Sequence, residues 1–321
     1  MRRRILTVCA VVAILALMLL LLYLWEKHYM RGDELPEDDT EDYLWYEGDR
    51  YRLRDGIETL LVIGLDKFEE AVDQSSYNND QQADFLMLLV IDHAQKTCSA
   101  VHINRDTMAE VTVLGIGSKP VGTVTEQLAL SHTYGSGGED SCRNTVKAVE
   151  DLLDGPQIDH YISLTMDAVS IVNDMVGGVT LTVLDDLSSA DPALNQGETV
   201  TLMGAQALTY VRNRFGLADS SNVARMNRQR QYLDALYHQT MSYTAQNGDF
   251  SMDALLRLSD YMVSDCSLTQ MDQMLDNLPT YTVQGFHTIE GQSVVGPQFM
   301  EFHPDPDALK QLTLALFCER A

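Results

Sequence analysis

Hydrophobic and polar positions along the chain change period several times, and each change marks an element. The runs Glu58–Leu65 (ETLLVIGL) and Phe85–Asp92 (FLMLLVID) are short and nearly all apolar, which predicts strands buried on both faces. Thr97–Ile103 follows a turn-like DHAQK and reads as their neighbour. In Glu139–Leu153 the apolar residues Val146, Val149, Leu152 and Leu153 recur at helical spacing, and Gly155-Pro156 stops the helix. Tyr161–Leu164 then reads as a strand, Asp167–Val176 as a helix closed by Gly177-Gly178, and Val179–Leu184 alternates as a strand does. After a polar loop at Asp185–Gly197, helices are predicted over Met203–Arg212 and Asn222–Met241. Two shorter helices, a strand near Tyr281–Ile289 and a final helix around Ala308–Phe317 complete the pattern. Strands alternating with helices predict one layered α/β domain with helices covering a central sheet.

The N-terminal pattern differs. Arg2, Arg3 and Arg4 precede an uncharged stretch from Ile5 to Trp25, long enough to span a bilayer as a helix, with the N-terminus on the cytoplasmic side. A cleaved signal peptide is the competing reading; the length of the run, the lack of a small-x-small cleavage site and the interfacial Tyr23 and Trp25 favour a retained anchor. The expected organisation is a cytoplasmic tail (1–4), a transmembrane helix (5–25), an acidic stalk (26–55) and an extracellular domain (56–321). Of the five cysteines, Cys9 lies in the span. Cys98, Cys142, Cys266 and Cys318 are then open to two readings, buried thiols or disulfides, with Cys98–Cys142 as the pairing to test.

Charge narrows the function. A net charge of −25 sets the surface against nucleic acid and anionic headgroups, so any anionic substrate must enter a local basic pocket. One such cluster exists: Arg212, Arg214, Arg225, Arg228 and Arg230 fall in a single short window. On a helix, Arg225, Arg228 and Gln229 share a face, whereas Arg230 points elsewhere, toward solvent. Arg212 and Arg214, if extended, project to the same side, and paired guanidinium forks suit a pyrophosphate. A second group stands at strand ends: Asp66 after LLVIGL, Asp84 before FLMLLVID, and Arg105-Asp106-Thr107 after SAVHIN. In an open α/β sheet Asp66 and Arg105 share the edge where ligands collect, and Asp84 joins them if its strand runs antiparallel to theirs. Carboxylates beside arginines can hold a divalent cation that bridges phosphate oxygens. No P-loop, H-E-x-x-H or G-x-S-x-G motif is present.

Read in order, LLVIGLDK, QQADFLMLLVID, INRDTM, IDHYISLTMDAVSIVNDMVGGVTLTV, LMGAQALTYVRNR and NVARMNRQRQYLDAL resemble the LytR–CpsA–Psr family, from about Glu58 to His238. That resemblance implies an α/β/α sandwich around a mixed sheet, with a deep apolar pocket for a polyprenyl tail. It implies a phosphotransferase of Gram-positive bacteria that moves a glycopolymer (teichoic acid, capsule or similar) from a polyprenyl-pyrophosphate carrier to peptidoglycan, with Mg²⁺ (or Mn²⁺) as cofactor. By the same resemblance Asp66 and Asp84 match metal-associated aspartates, and Arg105 matches a catalytic arginine. Arg212 with Arg214, and Arg225 with Gln229, match the residues that grip the pyrophosphate. Asp106 or Asp84 is positioned to orient or deprotonate the attacking hydroxyl. Leu128–Leu130 and Val169–Met175 are candidates to line the tail pocket. The chain departs from the family where Gln82-Ala83-Asp84-Phe85 replaces Arg-Ser-Asp-Thr, and where Asn222 stands for an aspartate three residues before the helix arginine. A lipid-pyrophosphate hydrolase and a non-catalytic carrier-binding or regulatory protein are the alternative functions.

Overall fold

The computed structural model describes residues 43–65, 81–154, 156–213, 222–247 and 250–321. The expected tail and membrane span, most of the stalk, Cys9, Asp66 and Arg214 lie outside these residues. Among the described residues no helix is long and apolar enough to cross a membrane. The chain divides into two units, one ending at Arg52 and one running from Leu53 to Arg320. In the first, β1 (Leu44–Tyr46) and β2 (Asp49–Leu53, all but its last residue) form an antiparallel hairpin within the residues expected as stalk. Its turn places Glu47 and Gly48 at positive φ, the arrangement that matches the twist of the flanking strands.

The second unit is built on a six-stranded sheet of order β11-β8-β3-β4-β5-β12. Its strands are β3 (Ile57–Leu65), β4 (Ala83–Asp92), β5 (Thr97–Ile103), β8 (His160–Thr165), β11 (Met262–Ser264) and β12 (Thr282–Thr288). β3 pairs parallel with β8 and antiparallel with β4; β4 is antiparallel to β5, and β5 is parallel to β12. The sheet is therefore mixed, and the apolar runs read as strands are its centre. Alternation along β3 sends its residues into two cores. Leu61, Ile63 and Leu65 are almost fully buried, while Leu60 and Val62 pack into a cluster with Ile162, Leu255 and Met271.

Helices cover both faces. On one side lie α1 (Gly138–Leu153) and α7 (Pro306–Phe317), joined where Thr313 Oγ1 donates to the Leu153 carbonyl. On the other lie α2 (Asp167–Met175), α3 (Ala205–Arg212), α4 (Asn222–Asn247), α5 (Phe250–Leu258) and α6 (Leu268–Asn277). A further apolar core joins Val179, Leu181, Leu202, Tyr210 and Tyr232, from the hairpin of β9 (Val179–Thr182) and β10 (Thr199–Leu202) and from α3 and α4. Leu187 and Leu194 also belong to it, so the stretch read as a polar loop is pinned into the core at two points.

Two antiparallel ribbons were not anticipated: β6 (Met108–Leu114) with β7 (Pro120–Gln127), and β13 (Gly291–Val295) with β14 (Met300–Pro304). β7 and β13 are largely exposed, so they carry little of the apolar pattern that reveals a strand. The Cys98–Cys142 pairing is overturned: Cys98, Cys142, Cys266 and Cys318 are all buried free thiols. Cys98 packs with Ile91 and Tyr281, whereas Cys142 sits 3.9 Å from His132 Nε2. Burial raises the Cys98 thiol to about 11 and the Cys142 thiol to about 12, which makes both unreactive.

One backbone approach fixes the register beside the site described next. Gly64 on β3 pairs with Phe85 on β4, and a Cβ at Gly64 would lie 2.8 Å from the Phe85 Cβ. Gly64→Ala is expected to lower unfolding stability by about 1–3 kcal/mol, because the contact is not with the free end of a side chain. Urea midpoints of the two proteins, compared at equal slope, check this.

Candidate active site

Because β3, β5 and β8 run one way and β4 the other, the carboxyl ends of the first three meet the amino end of β4 at one edge. This puts Asp84 beside the turn that follows β5. The turn Asn104–Thr107 is held rigid: Thr107 N donates to Asn104 O at 3.0 Å, and Asp106 N donates to Asn104 Oδ1 at 3.0 Å. Such Asx geometry fixes the backbone without any regular element. Arg105 emerges from it only 8% exposed. Its Nη1 is paired with Asp84 Oδ1, its Nη2 donates to Gln82 Oε1, and its Nε lies 3.4 Å from Asp106 Oδ1. Gln127 Nε2 in turn donates to Asp106 Oδ1 at 3.0 Å.

The amino end of α4 closes on this turn. Asn222 Nδ2 donates to Asn104 Oδ1, and Arg225 Nη2 donates to Asn222 Oδ1 at 2.5 Å. Asn104, Asn222 and Arg225 thus form a relay linking the Arg105 turn to the helix. Arg225 is 3% exposed. Beneath it lies His102, fully buried on β5, its ring centroid 4.9 Å from that of Phe85. Burial, aided by the Arg230 and Arg225 charges, pulls the His102 pKa down to about 3. Arg230 therefore belongs with this group, contrary to the solvent-facing placement read from helical spacing. It is half-buried, its Nη1 is enclosed with no hydrogen-bond partner, and burial lowers its pKa.

Arg228 is different. It is 0% exposed, and its Nε donates to Tyr210 O at 3.0 Å, with its other nitrogens on Asn213 O and Asp185. Gln229 Nε2 donates to Val211 O at 3.2 Å. These two side chains satisfy the last carbonyls of α3, which a helix end otherwise leaves unpaired. They also explain Arg212: it closes α3 and is exposed, not part of an extended segment, and its helix end is held one turn from Arg225.

Next to the edge is an apolar cavity of about 180 Å³, between the sheet and α2, α4 and α5. Val62, Gly64, Phe85, Val169, Val172, Tyr232 and Leu236 line it, and Gln229 is one of its few polar walls. Of the residues expected around such a pocket, Val169 and Val172 are there; Leu128 and Ala129 are not. Those two sit in a 3-10 helix (Leu128–Tyr134) packed against α1 on the opposite face of the sheet, where they are fully buried.

Two measurements test this description. Arg228→Leu is expected to cost about 3–5 kcal/mol of stability, since it strands Asp185 and the α3 carbonyls, and thermal unfolding reads it directly. The second concerns acid. His102 and His132, the latter pulled down to about 4 by burial, are neutral in the fold but ordinary bases, near 6.5, when unfolded. The unfolded chain binds more protons below that value, so stability is full above about pH 6.5 and is lost as pH falls. Each histidine contributes a slope of up to about 1.4 kcal/mol per pH unit. Denaturation midpoints between pH 7 and pH 5 should fall accordingly, and His102→Asn should remove one of the two contributions.

Comparison with known proteins places this geometry. The model of the LytR_cpsA_psr family matches residues 28–313. The polyisoprenyl-teichoic acid–peptidoglycan teichoic acid transferase TagU of Halalkalibacterium halodurans is 28% identical over 188 residues, 58% of this chain and 54% of that protein. TagU of Bacillus licheniformis, named as the same transferase, is 30% identical over 178 residues, 56% of this chain and 50% of its own. The chain thus spans about half the length of these curated relatives. Among solved structures, Bacillus subtilis TagV superposes with a TM-score of 0.62 at 23% identity, covering 82% of this chain and 97% of that one.

Proposed function

The chain belongs to the LytR_cpsA_psr family, and from this premise we propose that it is a membrane-anchored phosphotransferase. Its substrate is a glycopolymer on a polyprenyl-pyrophosphate carrier, a teichoic acid, capsule or related polymer of a Gram-positive wall, and its acceptor is peptidoglycan. The observation that carries the reading is the gathering of Arg105, Arg225 and Arg230 beside an apolar cavity, in a chain of net charge −25. A cationic edge adjoining a greasy slot suits a ligand that is a pyrophosphate at one end and an isoprenoid at the other. The anchor is the uncharged run Ile5–Trp25, which sets the domain on the extracellular side.

In this reading the pyrophosphate docks against Arg105, Arg225 and Arg230, with Gln229 where the phosphates meet the tail. A hydroxyl of peptidoglycan attacks the phosphorus that carries the glycopolymer. The new P–O bond forms as the bond to the lipid phosphate breaks, and that phosphate leaves with the charge. The arginines stabilise the charge spreading over the phosphoryl oxygens. Asp84 and Asp106, the carboxylates that flank Arg105, are the groups that can orient the hydroxyl and accept its proton.

The oxygen atoms set around Arg105, from Gln82, Asp84 and Asp106, are the chemistry a hard cation requires. Asp84, with Asp66, would hold Mg²⁺ (or Mn²⁺). When bound, that ion neutralises charge on the phosphate oxygens.

The test supplies purified full-length protein in detergent with carrier-linked glycopolymer, with and without peptidoglycan. Polymer should become covalently linked only when peptidoglycan is present, and Arg105→Ala should lower that rate by about 100-fold or more. Release of lipid phosphate without acceptor would instead identify a hydrolase, and undiminished transfer by the Arg105→Ala protein would remove the catalytic reading.

A further inference from the structure

At the opposite end of the sheet from Arg105, a second group of side chains has no part in the proposed transfer. His160 opens β8, and Asp265 and Cys266 lie in the turn between β11 and α6. One ligand atom from each of the three lies within 4.8 Å of the others. His160 Nδ1 is enclosed, makes no hydrogen bond, and faces Asp265 Oδ2 at 3.6 Å. That separation is too long for a hydrogen bond. It is close to the roughly 3.5 Å between two donors sharing one tetrahedral zinc ion, given metal–ligand bonds of about 2.0–2.3 Å.

The surroundings hold each donor in place. Asp265 Oδ1 accepts from Tyr161 N at 3.0 Å, which leaves Oδ2 turned to His160. Ser264 Oγ donates to Tyr161 O at 2.6 Å and accepts from Cys266 N at 3.1 Å, locking the turn that carries the buried thiol. On the far side of the imidazole, Glu58 Oε1 stands 3.8 Å from His160 Nε2. The other Glu58 oxygen meets His93 Nε2 at 2.7 Å, and His93 Nδ1 meets the Tyr281 hydroxyl at 2.7 Å. Glu58 therefore places negative charge near the imidazole without a hydrogen bond to it, its nearer partner being His93. A cavity of about 190 Å³, lined by Glu58, His93, His160 and Tyr281, adjoins the group and offers a path for an ion.

From these contacts we infer that His160, Asp265 and Cys266 form a zinc site that ties the start of β8 to the turn entering α6. The donor set, one nitrogen, one oxygen and one sulfur, selects a borderline transition ion over Mg²⁺ or Ca²⁺. The site is separate from the phosphate edge, so its failure and the failure of the transferase reading are independent.

Cobalt(II) is the probe. Untagged full-length protein, stripped with chelator, is titrated with Co²⁺ and followed by absorbance. The expected result is a thiolate-to-cobalt charge-transfer band that saturates at one equivalent and disappears on addition of Zn²⁺. The band should be absent in Cys266→Ser. Zn²⁺ should also raise the melting temperature of the wild type and not of Cys266→Ser, with matching far-ultraviolet circular dichroism showing that the variant is folded. No band at millimolar cobalt, or a band that survives in Cys266→Ser, overturns the inference.

Discussion

A guanidinium removed from water must have its charge and its donors answered by the protein, and that constraint organises the face of the sheet covered by α3 and α4. Arg105, Arg225 and Arg228 are 8%, 3% and 0% exposed. The energetic cost of an isolated buried cation is several kcal/mol, so each is held by a dedicated set of acceptors. For Arg228 these are carbonyls at the end of α3 and the carboxylate of Asp185, so this cation serves as structure. For Arg105 they are Gln82, Asp84 and Asp106 at the edge of the sheet, and for Arg225 the side chain of Asn222. The strand directions, the Asx turn after β5 and the docking of α3 on α4 are the means by which these acceptors arrive where the cations are.

The same constraint explains how much could be read from the chain. The central strands were legible because burial on both faces leaves an unbroken apolar run, and β3, β4 and β5 lie where those runs are. The edge that unites Asp84 with Arg105 followed from the strand ends together with one condition, that β4 be antiparallel, and the register meets it. The ribbons β6–β7 and β13–β14 were not legible, since a two-stranded ribbon with a wet side needs no continuous apolar signature. The α2 residues are candidates because the family resemblance implies an apolar tail pocket, and Val169 and Val172 do line the cavity. Leu128 and Ala129 carry an equally apolar signal but belong to the other core, because hydropathy records burial and not which face of a sheet supplies it.

Arg230 marks the limit of helical-wheel reasoning. It lies five positions after Arg225, well around the helix, and spacing alone puts it on another face. Yet Arg230 is half-buried with its Nη1 enclosed, and its charge as well as that of Arg225 depresses His102. No local pattern encodes that burial; it depends on how close α4 lies to β5. The helix predicted to end at Arg212 does end there, and Arg228 and Gln229 cap its last carbonyls.

The two departures from the family pattern acquire a physical meaning here. Gln82 and Asn222 are neutral amides that accept hydrogen bonds from Arg105 and Arg225. An amide orients a guanidinium nearly as well as a carboxylate does, because the planar donor fork needs only well-placed oxygens. It does so without adding negative charge beside the cation. At Asn222 this keeps the edge more positive than an aspartate would, and its second group, Nδ2, can also donate to Asn104, which a carboxylate cannot do. At Gln82 the exchange runs the other way: one positive charge fewer, but one more acceptor on Arg105. The local balance of charge is therefore shifted from the amino end of β4, a central strand, toward α4, which carries Arg225 and Arg230. Phe85 on β4 and Gln229 on α4 both border the apolar cavity, so the strand that follows Gln82 and the helix that begins at Asn222 are the elements that wall it.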